Sequence, residues 1–261
     1  MSGKSSRQQR LDHTITVIQQ RHGPAALRQG VSPAPIPHLP TGFPDLDAAL
    51  GIGGLPRGRL TLLTGAPTSG KRTLAALVLA RAQAPGRHPV AYLDLHHACD
   101  ADYLARCGID LAHLLVARPT DSRQALDMLL HLTAEPAWAA CVFDPWSALA
   151  PDAATRRYAA GVLDAVAGRL ARSGATCLVL DEPPALAQRL LASLTGDPAS
   201  QALAHHAALH LALTRERWHT LGPDVRGYQV QVQVHKNKLG PSGQRVSLDI
   251  RFNGTVRGDG L

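Results

Sequence analysis

The chain has no run of about 18 apolar residues, the length a spanning helix needs, anywhere in its 261 positions. Its first stretch, MSGKSSRQQRLDHT, lacks the apolar segment of a secretory signal. Cysteine is scarce: Cys99, Cys107, Cys141 and Cys177 are the full set, and no two have the short spacing of a zinc knuckle or a redox dithiol. They read as reduced thiols in an apolar interior. There is no internal repeat, and the one biased tract is a proline-rich stretch near the N-terminus. These absences leave a soluble, cytoplasmic chain with no membrane partner as the expectation.

What is present is apolar bulk and positive charge. At 45% apolar residues, the length suits one large core with a small appendage. Lys and Arg number 27 against 20 Asp and Glu, a formal charge of +7, which attracts polyanions such as DNA. Leu11, Ile15 and Ile18 stand at helical spacing in LDHTITVIQQ. Pro33, Pro35, Pro37 and Pro40 then leave no scope for a helix and predict an extended tether. The pattern fits an interaction arm and linker over residues 1–40, and equally a helix folded back on its own domain. The core is expected over residues 41–261.

Within the core, RLTLLTG, HPVAYLDL, AACVFD and TCLVLDE read as buried strands, and KRTLAALVLARAQA and AATRRYAAGVLDAVAGRLARS as helices. This alternation predicts an α/β fold with a mainly parallel sheet covered on both faces. HHAALHLALTRERW, GYQVQVQVHKNK and RVSLDIRF alternate with period two, which predicts antiparallel strands with one wet face extending that sheet.

The stretch GAPTSGKRT, residues 65–73, carries Gly65, Gly70 and Lys71 of a phosphate-binding loop, G-x-x-x-x-G-K-[ST]. The Ser or Thr that should follow the lysine and hold magnesium is Arg72, a cation in the place of a metal ligand. WAACVFDP supplies an apolar strand ending in Asp144, a candidate magnesium-side carboxylate; an Asp capping a strand-to-loop turn is the alternative. The histidine pairs His96–His97 and His205–His206 are adjacent in sequence, and adjacent side chains diverge, so no metal site is expected.

The order GGLPRGRL, GAPTSGKRTL, LDLHHACDADYLARCGID, VFDPWSALAP and HKNKLGP resembles the RecA recombinase family from about residue 40 to about residue 258. The N-terminal LDHTITVIQQRHGPAALRQG is similar to that family's oligomerisation arm, with Leu27 as a further anchor for a neighbouring protomer. The resemblance implies a RecA-like P-loop core preceded by a helical arm. It places the phosphate-binding lysine on Lys71, flanked by Gly65, Gly70, Arg72 and Thr73, and the magnesium-side carboxylate on Asp144. It places adenine contacts on Asp100 and Tyr103, and lysines that reach a neighbour's phosphates on Lys236 and Lys238. The cofactor so implied is ATP or ADP.

Departures from that pattern are concentrated where hydrolysis happens. The metal-binding Thr is Arg72, the water-activating Glu is His96, and the nucleotide-sensing Gln has no counterpart expected in LVLDEPP. Arg72 can offset phosphate charge directly but cannot ligate a cation. Of the two DNA-contacting loops, the first is largely deleted before AATRRYAAG, and the second, EPPALAQRLLASLTGDPAS, offers only Arg189 as a cation. Arg245 and Arg251 belong to a wider set of basic residues able to hold DNA phosphates without reading sequence. The family's separate C-terminal domain is not expected after RFNGTVRGDGL. Among degenerate relatives the chain most resembles ImuA, which implies a non-catalytic accessory role in translesion synthesis beside a Y-family polymerase homologue, with RecA or a second copy of the chain as further partners. The alternative is an active DNA-dependent ATPase that forms filaments on single-stranded DNA.

Overall fold

The computed structural model describes residues 3–23, 35–84, 86, 88–182, 197–252 and 256–257, which fall into two compact units, Met1–Pro35 and Ile36–Leu261. The first unit holds helix α1 (Gly3–His22), longer than the expected 11–20. Arg21 and His22 sit in its last turn, where cations complement the unpaired carbonyls. Leu11 is exposed, while Ile15 and Ile18 are half-buried. Leu27 lies outside the described residues.

The second unit opens with β1 (His38–Leu39), α2 (Pro44–Leu50) and β2 (Leu55–Pro56). Because β1 pairs antiparallel with β2, residues read as the end of the linker are strand residues of the core. Next come β3 (Leu60–Thr64), α3 (Lys71–Gln83), β4 (Val90–Asp94), α4 (Ala101–Arg106), β5 (Leu114–Ala117), α5 (Ser122–Ala134), β6 (Ala140–Asp144), α6 (Ala153–Ser173) and β7 (Thr176–Asp181). The chain continues through α7 (Pro198–His206), β8 (Ala207–Leu221), β9 (Asp224–Asn237), β10 (Arg245–Phe252) and β11 (Val256–Arg257).

Nine strands make one sheet in the order β11-β10-β9-β8-β3-β7-β6-β4-β5. Pairing is parallel from β8 through β3 to β5 and antiparallel from β8 outward to β11. The parallel strands are apolar on both faces, as a sheet covered twice requires. Leu63, Tyr92, Val142 and Leu180 pack with α2 and α3; Leu62, Leu93, Phe143 and Val179 pack with α5, α6 and α7. Each fully buried Leu contributes about 1.5–3 kcal/mol, which is why short strands suffice here. On the antiparallel extension, Val230, Val232, Val234, Leu248 and Ile250 face the core, while Gln229, Gln231 and Gln233 alternate with them on the wetter face.

Aspartates start the helices. Asp100, Asp121, Asp152 and Asp197 each accept a backbone N–H in the first turn of α4, α5, α6 and α7, a cap worth about 1 kcal/mol. One departure follows at the other end of α7: His205 and His206, read as the start of a strand, close the helix, and β8 begins at Ala207. The edge strand β5 was not distinct in the sequence because none of its residues is fully buried, Leu115 being exposed. Between Trp146–Ala148, a single 3-10 turn, and the Asp152 cap only three residues intervene, so α6 follows the end of β6 closely.

Candidate functional site

The carboxyl ends of β3, β6 and β7 converge on the loop of residues 65–70, which runs from β3 into the N-terminus of α3. Two glycines make this loop possible. A Cβ on Gly65 would lie 2.3 Å from Ser69 Oγ and 2.6 Å from the Leu213 carbonyl; one on Gly70, at φ +92°, would lie 2.9 Å from Val230 Cγ2. Thr68 also has a positive φ, 64°, an unfavourable conformation for a β-branched residue. Arg215 of β8 holds it there, its guanidinium donating to Thr68 Oγ1 at 2.5 Å and to the Thr68 carbonyl at 3.4 Å.

Lys71 is 3% exposed. Its Nζ donates to the carbonyls of Gly65 at 2.9 Å and Ala66 at 3.2 Å, and lies 3.4 Å from Glu182 Oε1. Glu182 immediately follows β7 and pairs with Lys71, at the strand end where LVLDEPP carries no glutamine. The sequence signal was a strand ending in an acidic pair, but only the sheet register brings it beside Lys71.

Next to the lysine, Arg72 turns onto Asp144. Its Nε donates to Oδ2 at 2.6 Å and its Nη2 to Oδ1 at 3.4 Å. Asp144 is 1% exposed and takes a second bond on Oδ2 from the Tyr92 hydroxyl at 2.5 Å. Burial opposes the Arg72 charge, yet the hydrogen bond and charge of Asp144 prevail and raise the guanidinium above its ordinary value. Burial first, then Asp144, push the Tyr92 phenol well up, which keeps it a donor.

Behind the loop, Thr73 Oγ1 lies 2.6 Å from the Tyr103 hydroxyl and 2.7 Å from the Tyr228 hydroxyl. Asp100 is exposed and caps α4 by accepting from the Tyr103 N–H. His96 is exposed in the turn after β4. That turn is pinned by buried Asp94, which accepts from the Ala98 and Cys99 N–H groups at 2.9 and 3.0 Å.

Lys236 and Lys238 meet at the end of α7: Lys236 Nζ donates to the carbonyls of Ala204 and His205, and Lys238 Nζ to that of His205. Burial, then Lys238, lower the Lys236 pKa. Arg245 and Arg251 are exposed on one face of β10, and Arg189 lies outside the described residues.

Two cavities flank the loop. One, of about 330 Å³, is bounded by residues 67–73, Trp218 and Tyr228. The other, of about 660 Å³, is bounded by Thr64, Glu182, His210, Arg215 and His235 among others. In the second, His210 Nε2 lies 2.9 Å from Thr64 Oγ1, and burial, His235 and Lys236 lower its pKa to about 4. Ser69, 3% exposed, lines both cavities, and its Oγ has no hydrogen-bond partner.

A phosphate group fits these residues: a glycine-shaped turn at a helix N-terminus, an unpartnered buried hydroxyl and a lysine at one place. Magnesium does not fit. Both Asp144 oxygens are engaged by a guanidinium, and no hydroxyl stands at position 72.

A family model described as the RecA N-terminal domain matches residues 9–257. Similar curated proteins include Protein RecA of Acidothermus cellulolyticus, 31% identical over a 274-residue alignment spanning 100% of this chain and 79% of that protein. Protein RecA of Kineococcus radiotolerans is 32% identical, spanning 100% of this chain and 78% of that protein. The crystal structure of the RadB recombinase shares the fold at a TM-score of 0.65 and 20% identity, covering 81% of this chain and 96% of that one. Among the described residues, no helix is long and apolar enough to cross a membrane.

Proposed function

The chain belongs to the RecA family, and on that premise we propose that it is a non-catalytic accessory protein of the DNA damage response, binding DNA and recruiting an error-prone Y-family polymerase homologue for translesion synthesis in the manner of ImuA. The observation that carries the reading is the bond from Arg72 to Asp144. Hydrolysis on a P-loop relies on a metal to focus the attack and neutralise developing charge. Here the carboxylate on the metal side is satisfied by a side chain of the first turn of α3, and His96 stands where the family resemblance puts a water-activating carboxylate.

Phosphates are then held without being consumed. Lys71, the Ser69 hydroxyl and the N–H groups opening α3 would hold them, and Arg72 adds fixed positive charge. A nucleotide so bound supplies stabilisation of the fold, while α1 and exposed Leu11 offer an apolar contact to a partner or to a second copy of the chain.

One observation favours a second reading, an active DNA-dependent ATPase: Lys71 remains at the loop, and a carboxylate, Glu182, stands beside it. ATP hydrolysis at saturating magnesium, with and without single-stranded DNA, separates the two. The proposal expects a silent wild type, and co-purification with a Y-family polymerase homologue at moderate salt. Turnover stimulated by DNA would overturn it, and failure to co-purify at every salt concentration would remove the polymerase link. Comparison with the double variant Arg72→Thr/His96→Glu shows whether these two losses alone account for the silence.

A further inference from the structure

We propose that Trp218 is the base-stacking surface for a nucleotide held by the P-loop, in place of Asp100 and Tyr103; the inference rests on the nucleotide-binding part of the reading above. The cavity at the mouth of the loop is bounded by residues 67–73 together with Trp218 and Tyr228, and neither Asp100 nor Tyr103 lines it. Tyr103 spends its hydroxyl on Thr73, and Asp100 spends its carboxylate capping α4. Tyr228 is 5% exposed and bonded to Thr73 through its own hydroxyl. Trp218 is the aromatic ring of this cavity that stays open, at 46% exposure.

Its orientation is fixed from two sides. The Arg215 guanidinium lies 4.4 Å above the indole centroid, and the Tyr228 ring meets it at 5.4 Å and 72°. Arg215 in turn grips Thr68, the loop residue with positive φ. The indole is therefore tied to the conformation of the phosphate-binding loop through one side chain. A second, independent feature marks the cavity as a ligand site: the buried, unpartnered Ser69 Oγ on its wall. Sequence alone gave no sign of this, because RERWHT reads as one wet strand, and a bulge between Arg215 and Arg217 puts Trp218 on the face of Tyr228.

A π-face carries no donor–acceptor code. The site consequently accepts any base, purines better than pyrimidines because they stack over a larger area.

The test is calorimetric titration of the full chain, in the absence of magnesium, with ADP, GDP, CDP and sodium tripolyphosphate, which has phosphates but no base. Tryptophan emission is followed in parallel. ADP and GDP are expected to quench emission and to bind more tightly than CDP, and tripolyphosphate to bind without quenching. Trp218→Ala is expected to weaken ADP roughly tenfold or more, the size of a base–aromatic stack, to abolish the quench and to leave tripolyphosphate unchanged. Trp218→Phe is expected to recover part of the ADP affinity. Unaltered ADP binding by Trp218→Ala overturns the inference, as does an equal loss of ADP and tripolyphosphate, which would make Trp218 a support for the loop. If neither ADP nor tripolyphosphate binds the wild type, the nucleotide reading itself falls, and this one with it.

Discussion

Arg72 Nε reaches Asp144 Oδ2 at 2.6 Å across 72 positions of sequence, joining the first turn of α3 to the end of β6 beside the glycine loop. Asp144 is almost wholly buried, and among the described residues Tyr92 is its second side-chain donor. A buried carboxylate without a compensating charge is costly. The guanidinium therefore has a structural duty as well as an effect on chemistry.

Arg72→Thr removes that charge and supplies the hydroxyl a metal site wants. Arg72 is 42% exposed, so water replaces part of what is lost, and the expected destabilisation is about 1–3 kcal/mol. The melting temperature in EDTA should fall by roughly 2–12 °C, and millimolar magnesium should restore part of it. Thermal scans of both proteins with and without magnesium check this; a variant that melts like wild type and ignores metal would show that Asp144 needs no cation.

Thr73→Val keeps the shape of the side chain and removes the oxygen shared by Tyr103 and Tyr228. Both phenols are driven up by burial before any other cause, so they stay protonated and need a hydrogen-bond partner. The expected cost is about 1–2 kcal/mol, read by urea unfolding with an unchanged m-value. Tyr228→Phe combined with Thr73→Val should cost less than the sum of the two single changes, because both remove one bond.

The parallel sheet was legible because its strands are apolar on both faces and the glycine loop follows the first of them. The fate of Arg72 was legible only in part: the sequence shows a cation where a hydroxyl should be, but not that it closes on Asp144. Glu182 was missed for a related reason. Its partner Lys71 is 111 positions away, and nothing local distinguishes a carboxylate at a strand end from a turn residue. Lys236 and Lys238 illustrate the limit differently. The resemblance gave them a reach toward a neighbour, whereas within one protomer they bond the last carbonyls of α7, an acceptor any lysine finds at a helix end.

That placement has a measurable consequence. Replacing Lys236 and Lys238 together with Ala leaves the Ala204 and His205 carbonyls without their side-chain donors. Water reaches these exposed groups, so the global loss should stay within about 1 kcal/mol. Local opening is different: amide exchange in the last turn of α7 and at the start of β8 should rise several-fold while β3 and β6 hold their protection. Unchanged exchange at α7 would show that the lysines do not cap it.

His210 gives the fold a dependence on pH of definite sign. Burial first, then His235 and Lys236, hold its pKa at about 4 against an ordinary 6.5. Between those values the unfolded chain takes up a proton that the folded ring refuses, so unfolding is favoured as pH falls through the window. The contribution is complete above about pH 6.5 and lost by about pH 4. After discounting for the solvent that reaches this half-buried ring, the change should amount to about 1–2 kcal/mol. His210→Gln keeps a polar partner for Thr64 Oγ1, 2.9 Å away in the wild type, and cannot take up the proton. Urea unfolding at intervals between pH 7.5 and 4.5 should give the variant a shallower decline than wild type, with the two curves converging toward the acid end. Parallel curves would mean that the protons that matter bind elsewhere, and that the histidine pair behind the loop does not set acid stability.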